Sequence, residues 1–283
     1  AQCPTGLRGK TVMAGTLITV PAFAGARDGV QHFFGTRHQA TAVGSGGGSA
    51  TSVLPIGCGS AGDDRRSGNG PARRAMRLPM AVSVKQVHGT DALILDRPLE
   101  AGETFAGGWD ALMTNQTGVL LTIRTADCVP VLVHDPLRRV VAAVHAGWRG
   151  AVAGIVPKTL SLMRHRFGSE PASLQVGIGP SVGPCCYEVD EPVLARLRTS
   201  FADWRLVVRA TGRSRAMLDL RELVRRQAQA VGVESEHIRT VRVCTACHPD
   251  LFYSYRRDGV VGETMVSGIM LTRRSRKTGH SER

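Results

Sequence analysis

The chain is short of acidic and aromatic side chains. Its 283 residues include 23 Asp and Glu against 36 Lys and Arg, which gives a formal net charge of +13, and aromatic residues make up only 5%. The positive charge suits anionic partners such as nucleic acid, membrane surfaces or phosphorylated small molecules. However, so few aromatic residues offer no obvious base-stacking platform, and the one dense basic cluster is the tail with Arg273, Arg274, Arg276 and Lys277. We expect a solvated tail, and we do not expect nucleic acid or a membrane as the main partner.

Long apolar runs and a disulfide pattern are also missing. No run reaches the roughly 20 residues of a transmembrane helix, and the seven cysteines are odd in number with no spacing typical of a disulfide framework. The apolar stretch after Lys10 is weakly hydrophobic and contains Pro21, which argues against a secretory signal. We therefore expect a soluble protein of a reducing compartment, the cytoplasm. The sequence favours no particular oligomeric state.

Apolar segments of strand length dominate the middle of the chain. Turn signals separate them, so they predict buried strands rather than one long helix. The predicted strands cover 17–20, 79–87, 111–114, 119–123, 129–133, 140–144, 174–178, 238–243 and 265–271, and the predicted helices cover 151–167, 191–201 and 220–231. We predict an α+β fold, a single layered domain at 16–272 with a mixed β-sheet and flanking helices. An N-terminal extension at 1–15, a flexible Gly/Ser-rich loop at 39–69 and the basic tail at 273–283 complete the chain.

Three residues stand out as candidate metal ligands: His88, Cys128 and His145. The strand predicted at 79–87 delivers His88, and His145 closes another strand just before Gly147, where the backbone can turn sharply. Two imidazoles and one thiolate suit a zinc ion with one open position, where a bound water becomes reactive near neutral pH. The same set also suits a blue-copper site, and Cys128 with His145 as its base would suit a hydrolase.

The three ligand segments belong to a longer ordered set of motifs. The chain resembles the laccase-domain family, long labelled multicopper polyphenol oxidases and understood as zinc-dependent purine nucleoside phosphorylases, from about residue 16 to 272. The matching segments are 85–89, 125–131, 145–150, 177–184, 187–189, 218–220, 244–245 and 249–259. Several such segments in the family's order are far more specific than any one motif.

This resemblance implies both a metal site and a reaction. It implies that His88, Cys128 and His145 bind zinc and that Arg37, in a Phe-x-x-Arg segment, binds phosphate. The implied substrates are purine nucleosides and phosphate: adenosine, inosine, guanosine and methylthioadenosine would yield the free base and ribose 1-phosphate. Deamination of adenosine to inosine is implied as well.

The chemistry of phosphorolysis suggests further candidates for catalytic residues. A phosphate held by Arg37, with help from Arg149, would attack the ribose C1′ as the base leaves. Glu188 and Asp127 are candidates for carrying a proton to the purine. Asp127 would equally suit orienting a metal ligand, and Arg149 would equally suit a structural ion pair.

Copper chemistry competes most directly with the zinc interpretation. A copper-dependent polyphenol oxidase fits the ligand types, but a trinuclear laccase cluster needs paired His-x-His segments, and the nine histidines contain none. Arg37 is followed by His38 where the family has Gly-Gly, so substrate preference can differ from that of the family. The residues also allow a cysteine hydrolase that uses Cys128 and a non-catalytic nucleic-acid-binding protein.

A second cysteine motif is present near the end of the chain. Cys244-Thr245-Ala246-Cys247-His248 matches the attachment pattern of a c-type haem, which needs an oxidising compartment that the sequence does not indicate. A second metal site formed by Cys244, Cys247 and His248 lacks a fourth ligand. We expect the adjacent Cys185 and Cys186 to be ordinary thiols.

Overall fold

A computed structural model describes residues 12–14, 17–20, 23, 29–38, 51–55, 80–260 and 262–273. The strands in these residues are β1 (Val12–Ala14), β2 (Leu17–Thr19), β3 (Val30–Gly35), β4 (Thr51–Pro55), β5 (Met80–Ser83), β6 (Ala92–Leu95), β7 (Thr104–Phe105), β8 (Ala111–Thr114), β9 (Val119–Thr125), β10 (Val129–Asp135), β11 (Val140–Ala146), β12 (Gln175–Ile178), β13 (Glu188–Asp190), β14 (Val208–Ala210), β15 (Arg215–Leu218), β16 (Ile238–Thr240) and β17 (Met265–Leu271). The α-helices are α1 (Trp148–Val152), α2 (Ile155–Phe167), α3 (Glu191–Ser200), α4 (Leu220–Val231) and α5 (Tyr255–Asp258).

The strands form two large mixed sheets and one small one. The larger sheet has the order β1-β2-β3-β17-β9-β5-β4-β7, and the second has the order β16-β12-β10-β11-β8-β6. Most neighbours are antiparallel, but β5 with β9, β6 with β8 and β12 with β16 are parallel. The strands β13, β15 and β14 form the third sheet. The predicted mixture of helices with mixed β-sheet is confirmed.

The second sheet lies in the middle of the layers. Every residue of β10 and β11 is buried, which explains why both read as continuous apolar runs. Alternate side chains enter different cores: Val131 and Val144 pack with residues of α2 and α4, whereas Leu132 and Ala143 pack with residues of the larger sheet. This sheet therefore holds its strand ends, including His145, between two packed cores.

Two predicted elements differ from the structure. The helix expected at 151–167 is split into α1 and α2, because Gly154 adopts a left-handed conformation with φ 85° between them. The strand expected at 79–87 ends at Ser83. Beyond it, the side chain of Gln86 exchanges two hydrogen bonds of 2.8 Å with the backbone of Arg124, so a side chain takes the place of strand pairing. His88 consequently lies in a loop.

The predicted extension, flexible loop and tail fall largely outside the described residues. Where the structure does describe them, it adds strands: β1 lies within 1–15 and pairs with β2, and β4 lies within 39–69 and pairs with β5 and β7. The strand β4 is not predicted by the sequence. In the described part of the chain, every helix is too short or too polar to span a bilayer.

Candidate metal centre

Three chain segments bring His88, Cys128 and His145 together. His88 lies in the loop after β5, Cys128 lies between β9 and β10, and His145 is the penultimate residue of β11. One ligand atom from each lies within 4.8 Å of the other two, and His88 Nε2 is 3.7 Å from Cys128 Sγ. The two imidazole rings are nearly perpendicular, with centroids 4.7 Å apart. The structure thus places side by side the three residues that the sequence predicts as ligands.

Asp110 fixes the positions of both histidines. Its fully buried carboxylate lies 2.8 Å from His145 Nδ1 and accepts hydrogen bonds from the backbone N–H groups of Val87, His88 and Gly89. Since His145 uses Nδ1 for this contact, its Nε2 is left for a metal. The bonds to the loop hold His88 in its left-handed conformation, with φ 60°.

The electrostatics of the site favour a thiolate. Burial raises the pKa of the Cys128 thiol, but hydrogen bonds and charge from His145 and His88 outweigh burial and lower this pKa to about 6. Burial in turn lowers the pKa of His145, but hydrogen bonds with Asp110 and Cys128 outweigh it and raise this pKa to about 9. The site therefore stabilises an anionic sulfur, which is the form of cysteine that binds metals.

Gly147 is needed for the ligands to approach one another. A Cβ at this position would lie 2.6 Å from His88 Cδ2 and 3.1 Å from Cys128 Sγ. The glycine therefore leaves space that the two ligand side chains occupy. This close approach, the buried second contact of His145 and the two-imidazole, one-thiolate set all fit a tetrahedral metal such as zinc with one position open.

We expect the Gly147→Ala substitution to lower zinc affinity by about 10-fold or more, comparable to the loss of an outer partner of a ligand. The methyl group would force His88 and Cys128 apart, whereas the backbone φ of −68° at this position suits alanine. Titration of the metal-free protein with zinc measures the change. Gly212→Ala is the matched control, since among the described residues no atom beyond its own chain neighbours lies within 4 Å of its Cβ position. Equal zinc affinity of the two variants would contradict this account of Gly147.

Asp127 holds the turn that presents Cys128. Its carboxylate accepts hydrogen bonds from the hydroxyls of Thr245 and Ser254 at 2.5 and 3.0 Å, and from the backbone N–H of Arg256 at 2.5 Å. The residue is 8% exposed and has a φ of 89°. These contacts tie the turn before Cys128 to the segment 245–256.

A cavity of about 400 Å³ opens beside the ligands. Its wall includes His88, Asp127 and Cys128, together with two arginines and three aromatic residues: Arg149, Arg256, Trp148, Tyr187 and Tyr255. The guanidinium of Arg149 lies over the Trp148 ring at 4.6 Å, and that of Arg256 lies over the Tyr187 ring at 4.9 Å. The cavity thus combines cationic groups, flat apolar surfaces and the metal ligands.

The other two candidate residues lie away from this cavity wall. Glu188 lines a neighbouring pocket, where its carboxylate accepts from Thr211 at 2.8 Å and lies 3.6 Å from Arg215. Arg37 is exposed, lies over the ring of Tyr253 and donates to the carbonyl of Pro249. The structure therefore groups Asp127 and Arg149, but not Glu188 or Arg37, with the three ligands.

Sequence reasoning missed three residues of the site, Asp110, Tyr187 and Arg256. An aspartate directly before the buried strand β8 is a detectable signal for Asp110, because an acidic residue at such a position needs a partner. The other two lie within the matching segments 187–189 and 249–259, but nothing local in the sequence shows that they face the ligands.

Comparisons with known proteins identify the family of the chain. A family model described as multi-copper polyphenol oxidoreductase laccase matches residues 37–272. A purine nucleoside phosphorylase of Bacteroides thetaiotaomicron is 40% identical over 192 residues, covering 66% of this chain and 71% of that protein. Adenosine deaminase RL5, from an unknown prokaryotic organism, is 33% identical over 258 residues, covering 87% of this chain and 96% of that protein.

A solved structure shares the fold. The crystal structure of YlmD from Geobacillus stearothermophilus matches with a TM-score of 0.72 at 31% sequence identity, covering 93% of this chain and 98% of that one. The family match spans most of the chain and includes all three candidate ligands. The chain therefore belongs to the multi-copper polyphenol oxidoreductase laccase family.

Proposed function

We propose that this protein is a zinc-dependent purine nucleoside phosphorylase, a transferase that also deaminates adenosine by hydrolysis. The observation that carries the proposal is the cavity, in which His88 and Cys128 lie beside Arg149, Arg256 and aromatic rings. Relatives named purine nucleoside phosphorylase and adenosine deaminase support both activities. The substrates proposed are adenosine, inosine, guanosine and methylthioadenosine, with phosphate as the second substrate.

The cavity wall offers groups for both substrates. The flat rings of Trp148, Tyr187 and Tyr255 suit a purine, because aromatic surfaces stack on bases irrespective of their substituents. Arg149 and Arg256 suit phosphate, because a guanidinium can donate two hydrogen bonds to one anion. Arg37 remains a further candidate for phosphate binding, since it contacts Pro249 in the same segment that carries Arg256.

In this proposal, zinc would be held by His88 Nε2, Cys128 Sγ and His145 Nε2. When bound, it would supply a Lewis-acidic position at the open side of the ligand set. Asp110 keeps His145 oriented, and Gly147 leaves the space that the ligands need. The arginines hold phosphate for attack on the ribose C1′ while the base departs.

The proton that the departing purine needs has two candidate donors from the sequence and a third from the structure. Asp127 faces the cavity, but its carboxylate already accepts three hydrogen bonds, so we favour a positioning role for it. Glu188 is held by Thr211 and Arg215 in the adjoining pocket, and it would have to leave them to reach the purine. Tyr187 lines both pockets and carries a hydroxyl proton, but burial raises the pKa of this hydroxyl and so makes it a weaker acid.

Chromatography of inosine incubated with the zinc-loaded protein, with and without phosphate, tests the proposal. We expect hypoxanthine and ribose 1-phosphate only when phosphate is present, and inosine from adenosine in either condition. Absence of turnover of both nucleosides by protein with zinc bound would overturn the proposed function. Copper near one equivalent per chain together with phenol oxidation would instead support a polyphenol oxidase.

A cysteine hydrolase is the second candidate, and one observation favours it. Cys128, His145 and Asp110 form a connected thiol–imidazole–carboxylate series, and the pKa of Cys128 is lowered to about 6. In that case, hydrolysis would survive removal of the metal and would stop when Cys128 is alkylated. Phosphorolysis would instead be lost with the metal.

A further inference from the structure

A second cluster of possible metal ligands lies apart from the candidate metal centre. Cys185 and Cys186 follow Pro184, whereas Cys244 and Cys247 lie about sixty residues later in a Cys-x-x-Cys segment. The structure brings all four sulfurs within 4.8 Å of one another. Cys244 is buried and the other three are partly buried.

The spacing of the sulfurs fits a single four-coordinate ion. Four thiolates about 2.3 Å from a tetrahedral zinc would lie about 3.8 Å from one another. Cys247 Sγ lies 3.6 Å from Cys185 Sγ and 3.3 Å from Cys186 Sγ. The tetrahedral separation of about 3.8 Å therefore lies between these two distances and the upper limit of 4.8 Å that holds for every pair of the four sulfurs. Cys185 and Cys186 therefore supply the two further ligands that the Cys-x-x-Cys segment does not contain.

His248 is not the fourth ligand in this arrangement. The group of ligand atoms that lie within 4.8 Å of one another contains the four sulfurs and no nitrogen of His248. His248 Nδ1 lies 2.9 Å from the carbonyl oxygen of Cys244. This contact instead helps to shape the Cys-x-x-Cys turn. The cluster is a set of four thiols, which is a ligand type that zinc favours in structural sites.

The surroundings of the cluster suit negatively charged sulfur. The backbone N–H groups of Gly183 and Cys247 donate to Cys244 Sγ. The buried guanidinium of Arg221 lies next to the cluster, since the Cβ position of Gly183 is 2.9 Å from Arg221 Nη2 and 3.2 Å from Cys185 Sγ. Four thiolates and one divalent ion carry a charge of about −2, which a neighbouring cation and N–H donors stabilise.

We propose that Cys185, Cys186, Cys244 and Cys247 form a tetrathiolate site for a structural zinc ion. The site would be distinct from the centre formed by His88, Cys128 and His145. It rests on the four sulfur positions and not on the proposed function, so either proposal can fail alone.

The site would join two segments that form the wall of the cavity. The segment that carries Cys185 and Cys186 contains Val182, whose N–H donates to the Asp127 carbonyl, and leads into Tyr187. The segment with Cys244 contains Thr245, which donates to the Asp127 carboxylate. Backbone pairing of Thr245 with Ser181 already links the two segments. A zinc ion would fix this link and so fix the turn that presents Cys128.

Counting zinc in matched variants tests the proposal. The protein is purified under reducing conditions, loaded with zinc, desalted and analysed by mass spectrometry for metal content. We expect about two zinc ions per chain in the wild type, about one in the His88→Ala/Cys128→Ser variant and about one in Cys247→Ser. Cobalt in the His88→Ala/Cys128→Ser variant should give the thiolate-to-metal absorption of a tetrathiolate site.

The outcomes separate the two sites even if Cys247→Ser fails to fold. In that event, the His88→Ala/Cys128→Ser variant, which keeps all four cluster cysteines, decides the matter. Retention of about one zinc by this variant supports the tetrathiolate site, and complete loss of zinc overturns it.

Discussion

Substitution of His88 by alanine is expected to lower kcat/KM for inosine by about 1,000-fold or more and to leave the fold intact. Loss of a metal ligand removes several kcal/mol of transition-state stabilisation, and about 4 kcal/mol corresponds to a factor of about 1,000. The His88 side chain is exposed, so its removal should change the free energy of unfolding by only about 0.5 kcal/mol. Alanine also has a Cβ, so the φ of 60° is no more strained than before.

Steady-state kinetics, zinc content and thermal unfolding measured on the same preparation check this expectation. His165→Ala is a suitable control, because His165 is an exposed histidine on α2 outside the cavity wall. Its kcat/KM should match that of the wild type. A metal-free His88→Ala protein with wild-type rates would show that the metal centre takes no part in turnover.

Whether a strand could be predicted from the sequence depends on which groups form hydrogen bonds with its backbone. The strands β10 and β11 are buried on both faces, so their apolar runs revealed them in the sequence. Residues 84–87 look equally strand-like, yet the side chain of Gln86 occupies the pairing positions on Arg124. Sequence patterns report burial well, but they do not report which side chain replaces a neighbouring strand.

The candidate site also combines residues that local motifs predict with residues that only the fold brings together. Each metal ligand lies in a motif with small neighbours, so the set of three was predictable. Asp110 was missed because its importance comes from four donors that converge from two separate segments. The four-cysteine cluster was missed because each pair looks incomplete alone, and only the fold brings position 185 next to position 247.

The substitution Asp110→Asn should weaken both the metal centre and the fold. One carboxylate oxygen accepts from His88 N and faces His145 Nδ1, and the other accepts from Val87 N and Gly89 N. An amide can replace only one of these oxygens as an acceptor, so its NH2 group would face donors in a fully buried position. We expect a loss of about 2–3 kcal/mol in the free energy of unfolding and a roughly 10–100-fold lower zinc affinity.

Urea denaturation of the metal-free protein and zinc titration separate the two effects of Asp110→Asn. Asp91→Asn is the matched control, since its exposed carboxylate pairs with a surface lysine, Lys158, and such pairs contribute about 0–1 kcal/mol. If Asp110 only stabilised the loop, the variant would unfold more easily but would bind zinc as the wild type does once folded. Lower zinc affinity in the folded variant would mean that Asp110 also positions the metal ligands, through His145 Nδ1 and through the backbone N–H of His88.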